Sequence, residues 1–440
     1  MITHMFIDGF KSFRELSLEL APFQVIVGAN GVGKSNLFDS IRLLSLLTEQ
    51  DLRSAFQALR GEAGELFSLQ ANGETVTTMR FRIDVFLQRE IEDSWGANEE
   101  LKHVRLRYEL TIERRQDSYG LERLYVAHEA LTTIKREEDT WANRYLGKQR
   151  AKWLLPLKTG RTQPFISTEQ HNEMVTINLH QDGHGGRKSS VAERAERTML
   201  SGVINTEFPH AFALREEMRT WKFLQLNPMI LRQPSPTLGP LAMTAEGEYL
   251  ASTLARMQSE DPTLLSDISR DLANLVPGIR QISVEHDQSR NRYIVWAEMN
   301  DRRRFSSRVL SDGTLRLLAL VTLRHDPLQR GVLAFEEPEN GVHPFRIKSM
   351  ANLLREFATD FTASDEAERP LRQLIINTHS PVLVSHLVQL YGEHAGIIFA
   401  HMPTRISPNQ YRERVSVMQP INPSNQIPIC LLYTSPSPRD

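Results

Sequence analysis

A glycine loop close to the start of the chain constrains the fold more than anything else in the sequence: Gly28-Ala29-Asn30-Gly31-Val32-Gly33-Lys34-Ser35, followed by Asn36. It comes after the apolar run Gln24-Val25-Ile26-Val27 and leads into a segment where Leu37, Ile41, Leu44 and Leu47 recur at helical spacing. In a strand, loop and helix context the glycines let the backbone curl so that successive N–H groups face a phosphate, with the positive end of the helix behind them. Lys34 is then expected on the β- and γ-phosphates of ATP, and the Ser35 hydroxyl on Mg²⁺. Gly28 through Asn36 are the expected nucleotide-binding residues.

The other parts of such a site lie far along the chain. Leu310-Ser311-Asp312-Gly313-Thr314 introduces the helical run Leu315–Leu323, and a Ser-x-Gly at a helix start can hold a phosphate or simply cap the helix. Next, Gly331-Val-Leu-Ala-Phe335 is an apolar strand that delivers the paired acids Glu336 and Glu337. Glu336 at the strand end can hold Mg²⁺ through water, and Glu337 can orient and deprotonate an attacking water. Finally, Leu374-Ile-Ile-Asn-Thr378 is a strand ending in His379, a candidate contact for the γ-phosphate or a capping histidine.

In this order, the four elements resemble the ABC-type ATPase head, in the branch that holds SMC proteins, RecF and the OLD-family nucleases. The opening Phe10-Lys-Ser-Phe-Arg-Glu-Leu16 and the run Val27–Leu37 are similar to the compact AAA-family ATPases of that branch, with weaker echoes at Leu224-Gln-Leu-Asn-Pro228 and Ala245–Leu250. The resemblance implies Lys34 and Ser35 as ligands of phosphate and Mg²⁺, Glu336 as the metal-holding acid, Glu337 as the catalytic base and His379 as the switch histidine. It also implies that Ser311 and Gly313 close over ATP held by a second copy of the chain, in a homodimer. Where most of the superfamily has Asp, this chain has Glu336, which puts tight Mg²⁺ coordination and fast turnover in doubt. The glutamine expected between the two halves of the site is assigned to Gln70.

The implied fold is an α/β P-loop NTPase: an ABC-ATPase-like head with a mixed sheet, a flanking antiparallel sheet and an inserted α+β region. Residues 1–50 and 281–429 are read as the two parts of the head, and 51–280 as the insertion. Alternating apolar residues at Met79–Leu87 and Val104–Ile112 predict antiparallel strands. Met5–Phe10 with Glu15–Leu20 predicts a small sheet beside the glycine-loop strand. Helical spacing runs from Ala245 to about Leu275, and a hairpin is expected from Ile282–Glu285 and Tyr293–Met299. The polar stretch from about Lys135 to Ser201 reads as looped or disordered. His171, His180 and His184 within it match no common metal-ligand spacing and read as loop histidines.

Charge is nearly balanced, 52 Lys and Arg against 54 Asp and Glu, so any DNA contact must be a local patch, such as Arg302-Arg-Arg304 with Arg308, or Lys148–Lys152. No run is long and apolar enough for a membrane helix, and a cytoplasmic location is expected without a membrane partner. The gap from Lys34 to Ser311, 277 residues (311 − 34), argues against a transporter subunit. Three uses of the site remain open: a DNA-linked ATPase of genome maintenance or phage defence, a nucleotide-gated switch that binds a partner protein, and an OLD-like nuclease cut before its Toprim domain. The eleven residues Cys430–Asp440, which include the single cysteine, look like a translated transposase-type sequencing adapter, so the natural sequence is expected to be interrupted near Ile429.

Overall fold

The computed structural model describes residues 1–421 except 71, 118, 155–162, 173, 182–186, 364–368, 392–395 and 407–411. His184 and the adapter-like segment 430–440 lie outside the described residues, as does the His171 side chain. Among the described residues, no helix is long and apolar enough to cross a membrane.

A six-stranded sheet carries the glycine loop. Its order is Lys222–Leu224, Gly331–Glu336, Arg372–Thr378, Phe23–Val27, Gly396–His401 and Val417–Ile421, with every pairing parallel except the last. The acid strand Gly331–Glu336 is therefore separated from the glycine-loop strand Phe23–Val27 by one strand, the histidine strand Arg372–Thr378. These strands read as unbroken apolar runs because both faces are covered. Successive side chains enter opposite cores: Ile26, Val332, Ala334, Ile375 and Ile398 on one side, Val25, Val27, Leu333, Phe335, Leu374 and Ile376 on the other. The glycine-loop helix Lys34–Leu46 packs on the first side, and the helix Asp312–His325 on the second.

An eight-stranded antiparallel sheet shares the first core. It includes the long pair Thr78–Phe86 and Arg105–Gln116, flanked by Glu122–Thr133 and by Ile2–Asp8. The sequence-based expectation of a separate small sheet is corrected: Ile2–Asp8 and Leu16–Glu19 are the edge of this large sheet. The stretch read as looped is corrected too, because Ile166–His171, Met174–His180 and Arg187–Val191 form the opposite edge. The expected helical segment is two helices, Leu250–Glu260 and Pro262–Leu275, broken where Pro262 follows Asp261. The expected hairpin is present as Ile279–Asp287 and Arg292–Met299.

The division of the chain at residues 50 and 280 follows the two halves of the motif set, and the sheets draw strands from both sides of each boundary. Strands from residues 2–19 lie in the antiparallel sheet, and Lys222–Leu224 lies in the nucleotide sheet.

Candidate nucleotide site

The glycine-loop strand is buried along its whole length and stops at Gly28, where the Ala400 carbonyl oxygen would stand 2.3 Å from an added Cβ. The loop then turns at two glycines in the left-handed region, Gly31 at φ 79° and Gly33 at φ 96°. Their surroundings differ. Gly31 has open space where a Cβ would project, whereas at Gly33 a Cβ would lie 2.1 Å from the Ser416 Oγ. Behind Gly33, the Ser416 hydroxyl donates to the Ser12 Oγ at 2.6 Å and the Asn36 amide donates to the same oxygen at 2.7 Å. The loop is therefore supported from the protein side and open on the other. Lys34 donates to the Gly28 and Ala29 carbonyls at 2.7 and 2.8 Å. Burial lowers its pKa, opposed by the charges of Glu337, Glu339 and Glu336.

Across the loop, Glu336 ends the acid strand beside Asn377 of the histidine strand. Its Oε1 accepts a long hydrogen bond from the Asn377 amide at 3.4 Å and lies 3.9 Å from the Arg60 guanidinium, which also holds Asp39 at 3.2 Å. Glu337 has a φ of 46°, a conformation that a residue with a side chain adopts only when its surroundings impose it. The imposing contact is Asn377, whose carbonyl and side-chain oxygens accept the Glu337 N–H at 3.1 and 3.0 Å. The Glu337 carboxylate is held at both oxygens, by His379 Nδ1 at 2.9 Å and by the Asn340 amide at 2.7 Å. Glycine loop and acids line one cleft of about 580 Å³, together with Gln225, Leu226, Arg316 and Asn377.

Two AAA-domain family models match, one over residues 4–201 and one over residues 173–385, the second with a description that names the AbiEii toxin of type IV toxin–antitoxin systems. The SMC head solved with the C-terminal winged-helix domain of ScpA superposes with a TM-score of 0.50 at 15% identity, over 96% of this chain and 98% of that one. The matched models are both of AAA domains, and the fold is similar to that of an SMC head. A Pyrococcus furiosus SMC head with an extended coiled coil, bound to the C-terminal domain of ScpA, has a TM-score of 0.46 at 12% identity, covering 98% of both chains. No curated protein matches.

The residues expected at the site from the sequence divide into two groups. Asn30, Gly31, Gly33, Lys34, Ser35, Asn36, Glu336 and Glu337 line the cleft, with His379 bonded to Glu337. Gly28, Ala29 and Val32 belong to the same loop but do not line it. Ser311 and Gly313 are also outside that lining. Ser311 caps the helix Asp312–His325, its hydroxyl accepting the Thr314 N–H at 3.3 Å, and is exposed together with Asp312. Gly313 packs on the turn after the acids, where a Cβ would stand 3.0 Å from the Gly341 carbonyl oxygen. One turn further on, Arg316 lines the cleft and donates to the Asn340 carbonyl at 2.5 Å.

The assignment of Gln70 is corrected. It sits in a turn closed by the bridge between Leu69 and Thr75, its N–H donating to the Glu74 carbonyl, and is not part of the cleft. Gln225 is the glutamine that lines the cleft, directly after the strand Lys222–Leu224 that pairs with the acid strand. The echo at Leu224–Pro228 was the signal that could have found it. Asn377 and Ser416 carried no motif. His180 is buried and bonded to the Ser167 hydroxyl at 2.8 Å, and no group of three metal-ligating side chains occurs among the described residues. The donors present fit Mg²⁺-ATP: a supported loop opening at Gly31, a lysine at its base and two carboxylates opposite.

Proposed function

We propose that this chain is an SMC-like, ABC-type AAA ATPase that hydrolyses ATP with Mg²⁺ as a head-to-head homodimer, each site combining the glycine loop of one copy with Ser311 and Gly313 of the other. The observation that carries the reading is Glu337, fixed at its backbone by Asn377 and at its carboxylate by His379 and Asn340, facing the glycine loop across one cleft. Glu337 is the base that orients and deprotonates the attacking water, and His379 holds it in place. Lys34 and the loop N–H groups bind the phosphates. Ser35 and Glu336 would hold Mg²⁺, which when bound offsets the phosphate charge.

Exposure of Ser311 and Asp312 outside the cleft supports their use by a second copy. A location in the cytoplasm, with work in DNA repair or phage defence, is part of the same proposal, and one matching family model carries a toxin–antitoxin description. A nucleotide-gated switch that binds a partner protein, with slow turnover, is the second reading, favoured by the weak tethering of Glu336 and by a fold neighbour solved with a winged-helix partner.

Steady-state hydrolysis tests the proposal. Glu337→Gln is expected to lower turnover at least about 100-fold while retaining ATP. Ser311→Arg and Lys34→Ala are each expected to be inactive alone, yet a mixture should regain activity through one intact composite site. A Ser311→Arg protein that turns over normally would refute shared sites, and wild-type turnover unaffected by Glu337→Gln would refute the assigned base.

A further inference from the structure

Glu339, three residues beyond the acid that ends the strand, is 8% exposed, an unusual place for a carboxylate. One of its oxygens accepts the Thr378 hydroxyl and the other has no hydrogen-bond partner among the described residues. A buried carboxylate with an unpaired oxygen costs stability, so its presence asks for a use.

The connections of Thr378 supply one. Thr378 is fully buried at the end of the histidine strand, and while its hydroxyl donates to Glu339 its oxygen accepts the Ser380 N–H at 3.0 Å. The Ser380 hydroxyl in turn accepts the Leu383 N–H at 3.3 Å, in the first turn of the helix Pro381–Tyr391. His379 therefore lies between two backbone positions that are tied, through one hydroxyl, to the acid turn. Its own ring meets that turn again at Glu337, 2.9 Å away.

We infer that Glu339 is a positioning residue: through Thr378 it clamps the backbone on both sides of His379 and so aims the imidazole at Glu337. The inference rests on the proposed hydrolysis only for its kinetic consequence, since the clamp itself is a property of the resting fold. Without the clamp the histidine strand keeps its ladder, but the peptide carrying His379 is free to rotate, and the base loses one of its two holders. Among the described residues, the side-chain hydrogen bond of Glu339 is the one to Thr378, while its charge also acts on Lys34.

Histidine ¹H–¹³C spectra of the full chain, with the His379 signal assigned through His379→Gln, test the clamp independently of turnover. Glu339→Ala and Thr378→Val are expected to shift and broaden the His379 signal while leaving that of buried His210 in place. Thr378→Ser, which keeps the hydroxyl, is expected to restore the wild-type signal. In the active protein, the two disruptive variants should lower kcat about tenfold or more with the KM for ATP changed less than about twofold, as expected of a misplaced catalytic group. An unmoved His379 signal, equal disturbance of His379 and His210, or failure of Thr378→Ser to restore would each overturn the inference. Absence of wild-type turnover would instead count against hydrolysis, with the spectra still deciding the clamp.

Discussion

Glu129 lies fully enclosed in the antiparallel sheet, accepting the N–H groups of Met199 and Leu200 at 2.5 and 2.9 Å and the Tyr108 hydroxyl at 3.0 Å. Burial pushes its pKa from the ordinary 4.5 to about 7, with these three hydrogen bonds pulling the other way. The folded protein thus holds this proton more tightly than the unfolded chain. Its contribution to stability is complete below pH 4.5 and is lost as the pH rises through about 7. Urea unfolding at about pH 5 and about pH 8 should show that loss in wild type, on the order of 3 kcal/mol, and a smaller difference in Glu129→Gln. The variant should also be weaker throughout, because its amide faces donors. At this scale the sequence was most legible where chemistry is local. The glycine loop and Glu336-Glu337 are contiguous, so their spacing alone identified them. Asn377 and Ser416 act through strand register and loop approach across long stretches of chain, which no local spacing records.

Among the elements, the edge strand Lys222–Leu224 has a role out of proportion to its length. Its parallel register, Leu224 beside Phe335, delivers Gln225 next to Glu336 in the cleft. Gln225→Ala is expected to reduce turnover about tenfold or more with ATP binding nearly unchanged, whereas Gln70→Ala should be neutral. Equal effects of the two substitutions would rule out this placement. The strand could not be recognised by periodicity because three residues carry none. A different cause hid Met174–His180, where Val175, Ile177 and Leu179 do alternate. Its neighbours in sequence are rich in Gly, Gln and Lys, and its pairing partner Arg187–Val191 lies at the polar rim of the sheet. The buried parallel strands stood out from sequence because burial on both faces demands unbroken apolar runs.

At the level of the whole molecule, the two large sheets behave as one body. The core above the glycine-loop helix is filled from both, and Gln373 of the histidine strand stitches them at the backbone. Its side chain accepts the Ile2 N–H at 2.8 Å and donates to the Ile2 and Ala21 carbonyls at 2.7 and 3.0 Å, all away from solvent. Gln373→Leu keeps the size but strands three backbone groups, so a loss of about 2–5 kcal/mol is expected, in a single unfolding transition shared by both sheets. Two separate transitions in calorimetry would show instead that the sheets are independent. Consecutive segments of sequence do not display this unity, because Ile2–Asp8, within the first 20 residues, pairs with Thr78–Phe86 in the antiparallel sheet.

The position of Phe23–Val27 in the sheet has a consequence for synthesis. Both strands that flank it, Arg372–Thr378 and Gly396–His401, leave the ribosome long after it does. From Val27 to Arg372 is 345 residues (372 − 27), and at about 5–20 residues per second the glycine loop waits roughly 20 to 70 seconds for its first neighbour. During translation, the apolar strand before the loop stays without either flanking strand until Arg372–Thr378 has been made, and gains the second only with Gly396–His401.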